Sequence, residues 1–131
     1  MTLFQVTKDK LETVPRTTFA IEGMLERQDL QRMLKADISP LGDDLMVIAE
    51  EFGNWEDSKR RIDLLCLDKE ARLVVVEIKR TEDGGHMELQ AIRYAAMLSS
   101  MTVEQTITAH AKTLGGEIPE ETAKKDILGF H

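Results

Sequence analysis

Residues 61–80, RIDLLCLD-KEA-RLVVVEIKR, are the part of this chain with the fewest ways to fold. Two aliphatic, partly β-branched runs, 61–68 and 72–80, are separated only by Lys69-Glu70-Ala71, which predicts a hairpin closed by a three-residue turn. Both runs are apolar at odd and even positions, so neither face of the sheet they build can be left to water. Helices elsewhere in the chain must cover the sheet on two sides. A third strand is expected over Leu45–Phe52 (LMVIAEEF).

The covering helices are legible from period and punctuation. Residues 1–20, with Pro15 among scattered polar residues, predict an irregular lead-in. Over 23–35, Leu25, Leu30, Met33 and Leu34 suit one helix face, and Ser39-Pro40 and Gly42-Asp43 then break the chain. From 86 to about 100 alanine and leucine replace valine and isoleucine, and a second helix is expected. Thr102 with Gln105 three residues on is a capping box, opening a helix with Val103, Ile107, Ala111 and Leu114 on one face. Gly115-Gly116 stops it, and Pro119-Glu120-Glu121 suits the first turn of a last helix, leaving weakly apolar residues at 127–130. The expected fold class is α/β in the order αβββα, a three-stranded antiparallel meander flanked by helices, with extra C-terminal helices. No repeat, low-complexity tract or long linker divides the chain. Residues 1–131 therefore read as one domain, with a core at about 24–101 and a helical extension over 102–131.

Composition excludes several classes. With 42% apolar and 31% charged residues over 131 positions, one core can form and disorder is not expected. No apolar run approaches the roughly 20 residues of a membrane span, and no basic segment followed by an apolar stretch opens the chain. The single cysteine, Cys66, fits a reducing, cytoplasmic setting. The net charge of −7 argues against a simple phosphate binder, but it is unevenly spread. Residues 59–80 carry +3 and the remainder −10, an asymmetry that can steer a polyanion to one place. A solvated, lysine- and arginine-rich strand edge is the competing reading of the same block.

The chemical anomaly lies in the last strand. Glu77 directly follows four aliphatic residues, Leu73-Val74-Val75-Val76, with Lys79 facing the same way two positions on. A carboxylate at such a place is costly unless it is paired or coordinates a metal. A Glu77–Lys79 ion pair where the strand meets water is the structural alternative. Asp63 sits in the preceding strand, and two carboxylates on adjacent strands make a hard-oxygen site suited to Mg²⁺ or Mn²⁺. If Asp63 lies opposite Glu77, Leu65 faces Val75, Leu67 faces Leu73, and Asp68 closes the turn against Arg72. A slip of one residue would part the acids onto opposite faces, and because both faces are apolar only the proposed chemistry chooses between the two registers. In the next helix Met87, Gln90, Tyr94, Met97 and Met101 form one stripe, with Gln90 the polar exception; packing alone also explains such a stripe.

Asp63, then Glu77-Ile78-Lys79, resembles the D…(D/E)-x-K signature of the PD-(D/E)XK nuclease superfamily. Gln90 and Tyr94 match the Q-x-x-x-Y motif of its RecB-like branch, and Glu26 matches that branch's helix glutamate. The run from Asp63 to Lys79 followed by LQAIRYAAM is most similar to NucS-type (DUF91-like) endonuclease domains. The likeness covers roughly residues 24–101, and the proline of the family's name is absent before Asp63.

The resemblance implies a restriction-endonuclease-like core and metal-assisted phosphodiester hydrolysis, in DNA repair or restriction. Asp63, Glu77 and the Ile78 main-chain carbonyl would hold Mg²⁺ or Mn²⁺, with Glu26 on the metal or on its water. Lys79 would position the attacking water or stabilise charge on the phosphate, and Gln90 and Tyr94 would brace the site. Arg60, Arg61, Arg80 and Arg93 are candidate phosphate contacts, and the expected partner is nucleic acid, DNA before RNA, with no membrane. The family's last core strand is missing from 103–131. Either 127–130 leads into it beyond this chain, or a homodimer or partner chain completes the sheet. A catalytically silent nucleic-acid-binding or protein-interaction module on the same fold is the alternative function. His86, His110, His131, Cys66 and Trp55 read as structural or solvated.

Overall fold

The computed structural model describes residues 1–53, 61–79, 87–117 and 119–131. It is a mixed α/β chain whose elements run β1 (Leu3–Val6), β2 (Leu11–Val14), α1 (Glu26–Ala36), β3 (Leu45–Phe52), β4 (Ile62–Asp68), β5 (Leu73–Val76), α2 (Met87–Leu98), α3 (Val103–Leu114) and α4 (Pro119–Phe130). Strands β3-β4-β5 form an antiparallel sheet in that order, and β1-β2 form a separate antiparallel pair. No helix among the described residues is long and apolar enough to cross a membrane.

The expected hairpin is present in the expected register. Leu65 pairs with Val75 and Leu67 with Leu73. Asp68 closes the turn: its N–H donates to the Arg72 carbonyl (3.0 Å), and its Oδ1 accepts from the N–H groups of Glu70 (3.0 Å) and Arg72 (2.8 Å). Ala71 takes φ +62°, the left-handed position that a three-residue hairpin loop requires. The last strand is shorter than the expected 72–80, since pairing ends at Val76, and residues 77–79 run on outside the ladder.

Strand β4 is buried along its whole length, as two-sided coverage demands. Leu64 and Cys66 pack with Leu34 and Ile78, backed by Leu30 and Ile38 from α1 and its exit. Leu65 and Leu67 pack with Ile48, Tyr94, Leu98, Ala109 and Ile127, so α2, α3 and α4 close the other side. Burial pushes the Cys66 thiol up to about 11, which leaves it a small core residue without nucleophilic character.

Two local devices adapt the sheet. A bulge between Val47 and Ala49 turns Ile48 fully inward, and the Ile48 carbonyl accepts from His110 Nδ1 at 2.9 Å. His110 is therefore structural, its Nε2 reaching Asp126 at 3.3 Å. Helix α3 opens with the anticipated box: Gln105 N–H donates to Thr102 Oγ1 (3.2 Å), and Thr102 N–H donates to Gln105 Oε1 (2.9 Å).

Two expectations are corrected. Residues 1–20 are not an irregular lead-in: they hold the β1-β2 hairpin, turned at Thr7–Lys10, where Thr7 N–H donates to the Lys10 carbonyl at 2.9 Å. All eight of its strand residues are exposed, so no core pattern betrays it in the sequence. Residues 127–130, expected only as a weakly apolar end after a short helix, are themselves the last turn of α4, with Ile127 buried in the core. That turn is clamped to the β4-β5 loop, where Lys69 donates to the Phe130 carbonyl and His131 Nε2 lies 2.9 Å from the Asp68 carbonyl.

Candidate active site at the ends of β4 and β5

Continuing the β4-β5 pairing one step past Leu64–Val76 sets Asp63 across from Glu77. The two are joined through the backbone: Asp63 N–H donates to Glu77 Oε1 (3.3 Å), and Ile78 N–H donates to Asp63 Oδ2 (2.7 Å). Both carboxylates are nearly shut off from water, with side-chain exposures of 2% for Asp63 and 5% for Glu77. Lys79 Nζ stands 4.0 Å from Glu77 Oε2 and is itself 30% exposed. The hairpin alone thus brings Asp63, Glu77 and Lys79 to one place, because antiparallel pairing puts residues fourteen apart side by side.

Two further elements reach the same end of the sheet. From α2, Gln90 Nε2 donates to the Tyr94 hydroxyl (3.1 Å), and that hydroxyl donates to the Arg61 carbonyl (3.1 Å). Tyr94 is 1% exposed and belongs to the core. The Gln90–Tyr94 chain therefore holds the backbone two residues before Asp63. Replacing Tyr94 with phenylalanine keeps the packing and removes both bonds. It should cost about 1 kcal/mol, or about 4 °C in a thermal melt of a domain this size.

From α1 the residue that arrives is Arg27, which sequence reasoning passed over. Its Nη2 lies 2.6 Å from Asp63 Oδ1 and 3.8 Å from Glu51 Oε1. Helix α1 is set by Leu25, whose extended backbone starts it and whose N–H donates to Asp29 Oδ2 (2.6 Å). Glu26, its first residue, is half-buried one position from Arg27. Among the described residues no three of His, Cys, Asp and Glu are grouped so as to hold a metal ion, so the expected convergence of Glu26 with Asp63 and Glu77 is not observed as such a group. Glu51, next to last in β3, takes φ +48°, a costly conformation for a non-glycine residue, and accepts from Gln31 Nε2 (3.0 Å). Of the candidate phosphate contacts, Arg61 and Arg93 are exposed. Arg60 and Arg80 lie outside the described residues, as do Trp55 and His86.

The electrostatics follow from burial. Removal from water and the neighbouring Asp63 charge push the Glu77 carboxyl above its ordinary 4.5, outweighing the Asp63 N–H, Lys79 and Arg27, which pull it down. Arg27 is held more firmly protonated by its bond to Asp63. A carboxyl whose folded pKa exceeds its unfolded one binds more protons when folded, so its contribution to stability falls as pH rises through that window. The metal-free protein should gain stability from Glu77 as the pH drops from the raised value to 4.5, with the gain complete below 4.5. Asp29, Asp37 and Asp68, all depressed by hydrogen bonds, act in the opposite sense. The Glu77 contribution is therefore read as the difference between wild type and Glu77→Gln in urea melts across pH 4–7. A difference that stays flat with pH would contradict it.

Comparison with family models, with curated proteins and with solved structures finds no match for this chain. The class of site is defined by its own groups: two buried carboxylates and a lysine at paired strand ends, with an arginine from the covering helix.

Proposed function

We propose that this protein is a metal-dependent nuclease acting on DNA, built on a restriction-endonuclease-like core. The observation that carries the reading is the juxtaposition of Asp63, Glu77 and Lys79, a two-carboxylate-and-lysine set at the ends of adjacent strands. The residues fit a Mg²⁺ or Mn²⁺ ion. Their donors are hard oxygens, two carboxylates suffice for a cation that keeps several waters, and burial together with the Asp63 charge makes the Glu77 carboxylate costly to keep ionised without a further cation.

A bound divalent cation would polarise the phosphate and acidify a water. Asp63 and Glu77, with the Ile78 carbonyl, would hold it, and Glu26, which is not grouped with them in the metal-free chain, would reach it through water. The Ile78 N–H already fixes the orientation of Asp63. Lys79, 30% exposed beside Glu77, would hold the attacking water or take up charge on the phosphate oxygens. Gln90 and Tyr94 hold the start of β4 rigid, so that Asp63 does not drift from Glu77. Arg61 and Arg93, both exposed, would contact a phosphate backbone. Strand β5 forms one edge of the sheet, where a homodimer partner or another chain would add the missing core strand.

A second reading, a catalytically silent nucleic-acid-binding module, draws on one observation: Arg27 already neutralises Asp63. Labelled single-stranded, double-stranded, flapped and mismatched DNA, incubated with Mg²⁺, Mn²⁺ or EDTA, separates the two. The nuclease reading expects products with either metal and none in EDTA. Binding without cleavage on every substrate would favour the silent module.

A further inference from the structure

We propose that Arg27 is the exchangeable counter-ion of the Asp63–Glu77 pair, released to a nucleic-acid phosphate when a divalent cation takes its place on Asp63. The inference rests on the metal site proposed above. Asp63 has two oxygens, and Oδ2 is committed to the Ile78 N–H at 2.7 Å. Oδ1 is the oxygen that Arg27 Nη2 occupies at 2.6 Å, so a metal ligated by Asp63 contends with the guanidinium for it. The contest is open because the two partners differ in mobility. Asp63 is locked in the sheet at 2% exposure, whereas the Arg27 side chain is 48% exposed and comes in from the helix surface.

A displaced guanidinium has a place to go. Arg27 lines a polar recess between α1 and the end of β3, together with Gln31, Arg32 and Lys35 on α1 and Glu50 and Glu51 on β3. Glu51 Oε1 is already 3.8 Å from Nη2 and can retain it near the site. Arg32 is paired with Asp29 at 3.3 Å and Lys35 with Glu50, both pairs partly in solvent, where such contacts are weakly held and give way to a stronger anion. An arginine freed beside them presents a planar fork suited to two phosphate oxygens. Metal-free, the same side chain is engaged with the site and offers less to a backbone phosphate. Metal and nucleic acid therefore assist each other's binding, and by linkage the factor is the same in both directions.

The test measures Mn²⁺ affinity by calorimetry and the affinity of a labelled oligonucleotide, with Mn²⁺ or EDTA, by anisotropy on a Lys79→Ala background that leaves the strand uncut. Arg27→Gln should bind Mn²⁺ at least about fivefold more tightly than wild type, the lower end of common coupling factors. Arg32→Gln, which removes a charge from the same helix without touching Asp63, should change it far less. The gain in oligonucleotide affinity on adding Mn²⁺ should shrink at least about fivefold in Arg27→Gln. Arg27→Lys, which keeps the charge on Asp63, should bind Mn²⁺ as wild type does and serves if the glutamine variant does not fold. Unchanged or weaker Mn²⁺ binding in Arg27→Gln, an equal change in Arg32→Gln, or an undiminished metal-linked gain would overturn the proposal. Glu77→Gln separates the failures. If it abolishes Mn²⁺ binding while Arg27→Gln brings no gain, this inference alone falls; if wild type and Glu77→Gln bind Mn²⁺ alike, the metal site itself is wrong.

Discussion

Glu77→Ala and Lys79→Ala should each abolish cleavage while leaving the fold intact. On the proposed nuclease reading the chemical loss is large, because the two groups would act where charge builds up in the transition state. Metal-borne stabilisation of that charge is worth several kcal/mol, and at 1.36 kcal/mol per decade this is about 10³-fold in rate. The structural loss is small for reasons specific to each residue. Glu77 lies just past the end of the β4-β5 ladder, and its carboxylate contributes one long hydrogen bond, 3.3 Å from the Asp63 N–H, against its repulsion by Asp63. Lys79 makes one ion pair at 4.0 Å and is partly in solvent. Asp63 is the poorer test of catalysis, since its loss strands both the Ile78 N–H and Arg27. Steady-state cleavage with circular dichroism on the same preparations decides the matter. Cleavage that survives in either variant would transfer the case to the silent module.

Mn²⁺ should raise the melting temperature of the wild type by about 10 °C at a hundredfold excess over its dissociation constant. The size follows from mass action, about 2.7 kcal/mol at that ratio, with about 4 °C per kcal/mol for a domain of this length. The cause is the burial of Glu77 beside the Asp63 charge, which together keep the Glu77 carboxyl raised and which the dication offsets. The rise should shrink as the pH falls through that raised value, because protons then occupy the ligand oxygen. Glu77→Ala should lose most of the response and, freed of the repulsion, should melt no lower than metal-free wild type. Differential scanning fluorimetry with and without Mn²⁺ at pH 5 and pH 7.5 is sufficient. Equal shifts in wild type and Glu77→Ala would place the ion elsewhere.

The strand pair was readable without coordinates, because period, turn length and charged ends all sit within residues 61–80. Its register was not fixed by hydrophobicity, since both strands are apolar on both faces; only the expected pairing of Asp63 with Glu77 favoured the one observed. The Thr102–Gln105 box was equally plain, since both of its bonds lie within four residues. Asp63 and Glu77 came together by the same local arithmetic. The β1-β2 hairpin escaped because its turn, Thr7-Lys8-Asp9-Lys10, carries neither glycine nor asparagine and its strands bury nothing. The shortening of β5 also had no sequence signal, as Glu77-Ile78-Lys79 continues the strand pattern without a break.

Arg27 belongs to another order of information. It lies 36 residues from Asp63, one place from the glutamate that the family pattern singles out, and on an ordinary charged helix turn. Whether Glu26 or Arg27 meets the carboxylate depends on how α1 is rotated over the sheet. That rotation is set by Leu30 and Leu34 packing against Leu64 and Cys66, not by any spacing within the helix. The same holds for His110, which serves the carbonyl of a bulge 62 residues away, and for the clamp of α4 on the β4-β5 turn. Patterns carried by neighbours along the chain are visible in the amino-acid string because strand and helix periods are fixed by the backbone. Contacts between distant side chains become definite only once two packed layers have chosen their relative angle, and here that choice put an arginine on the aspartate at the centre of the site.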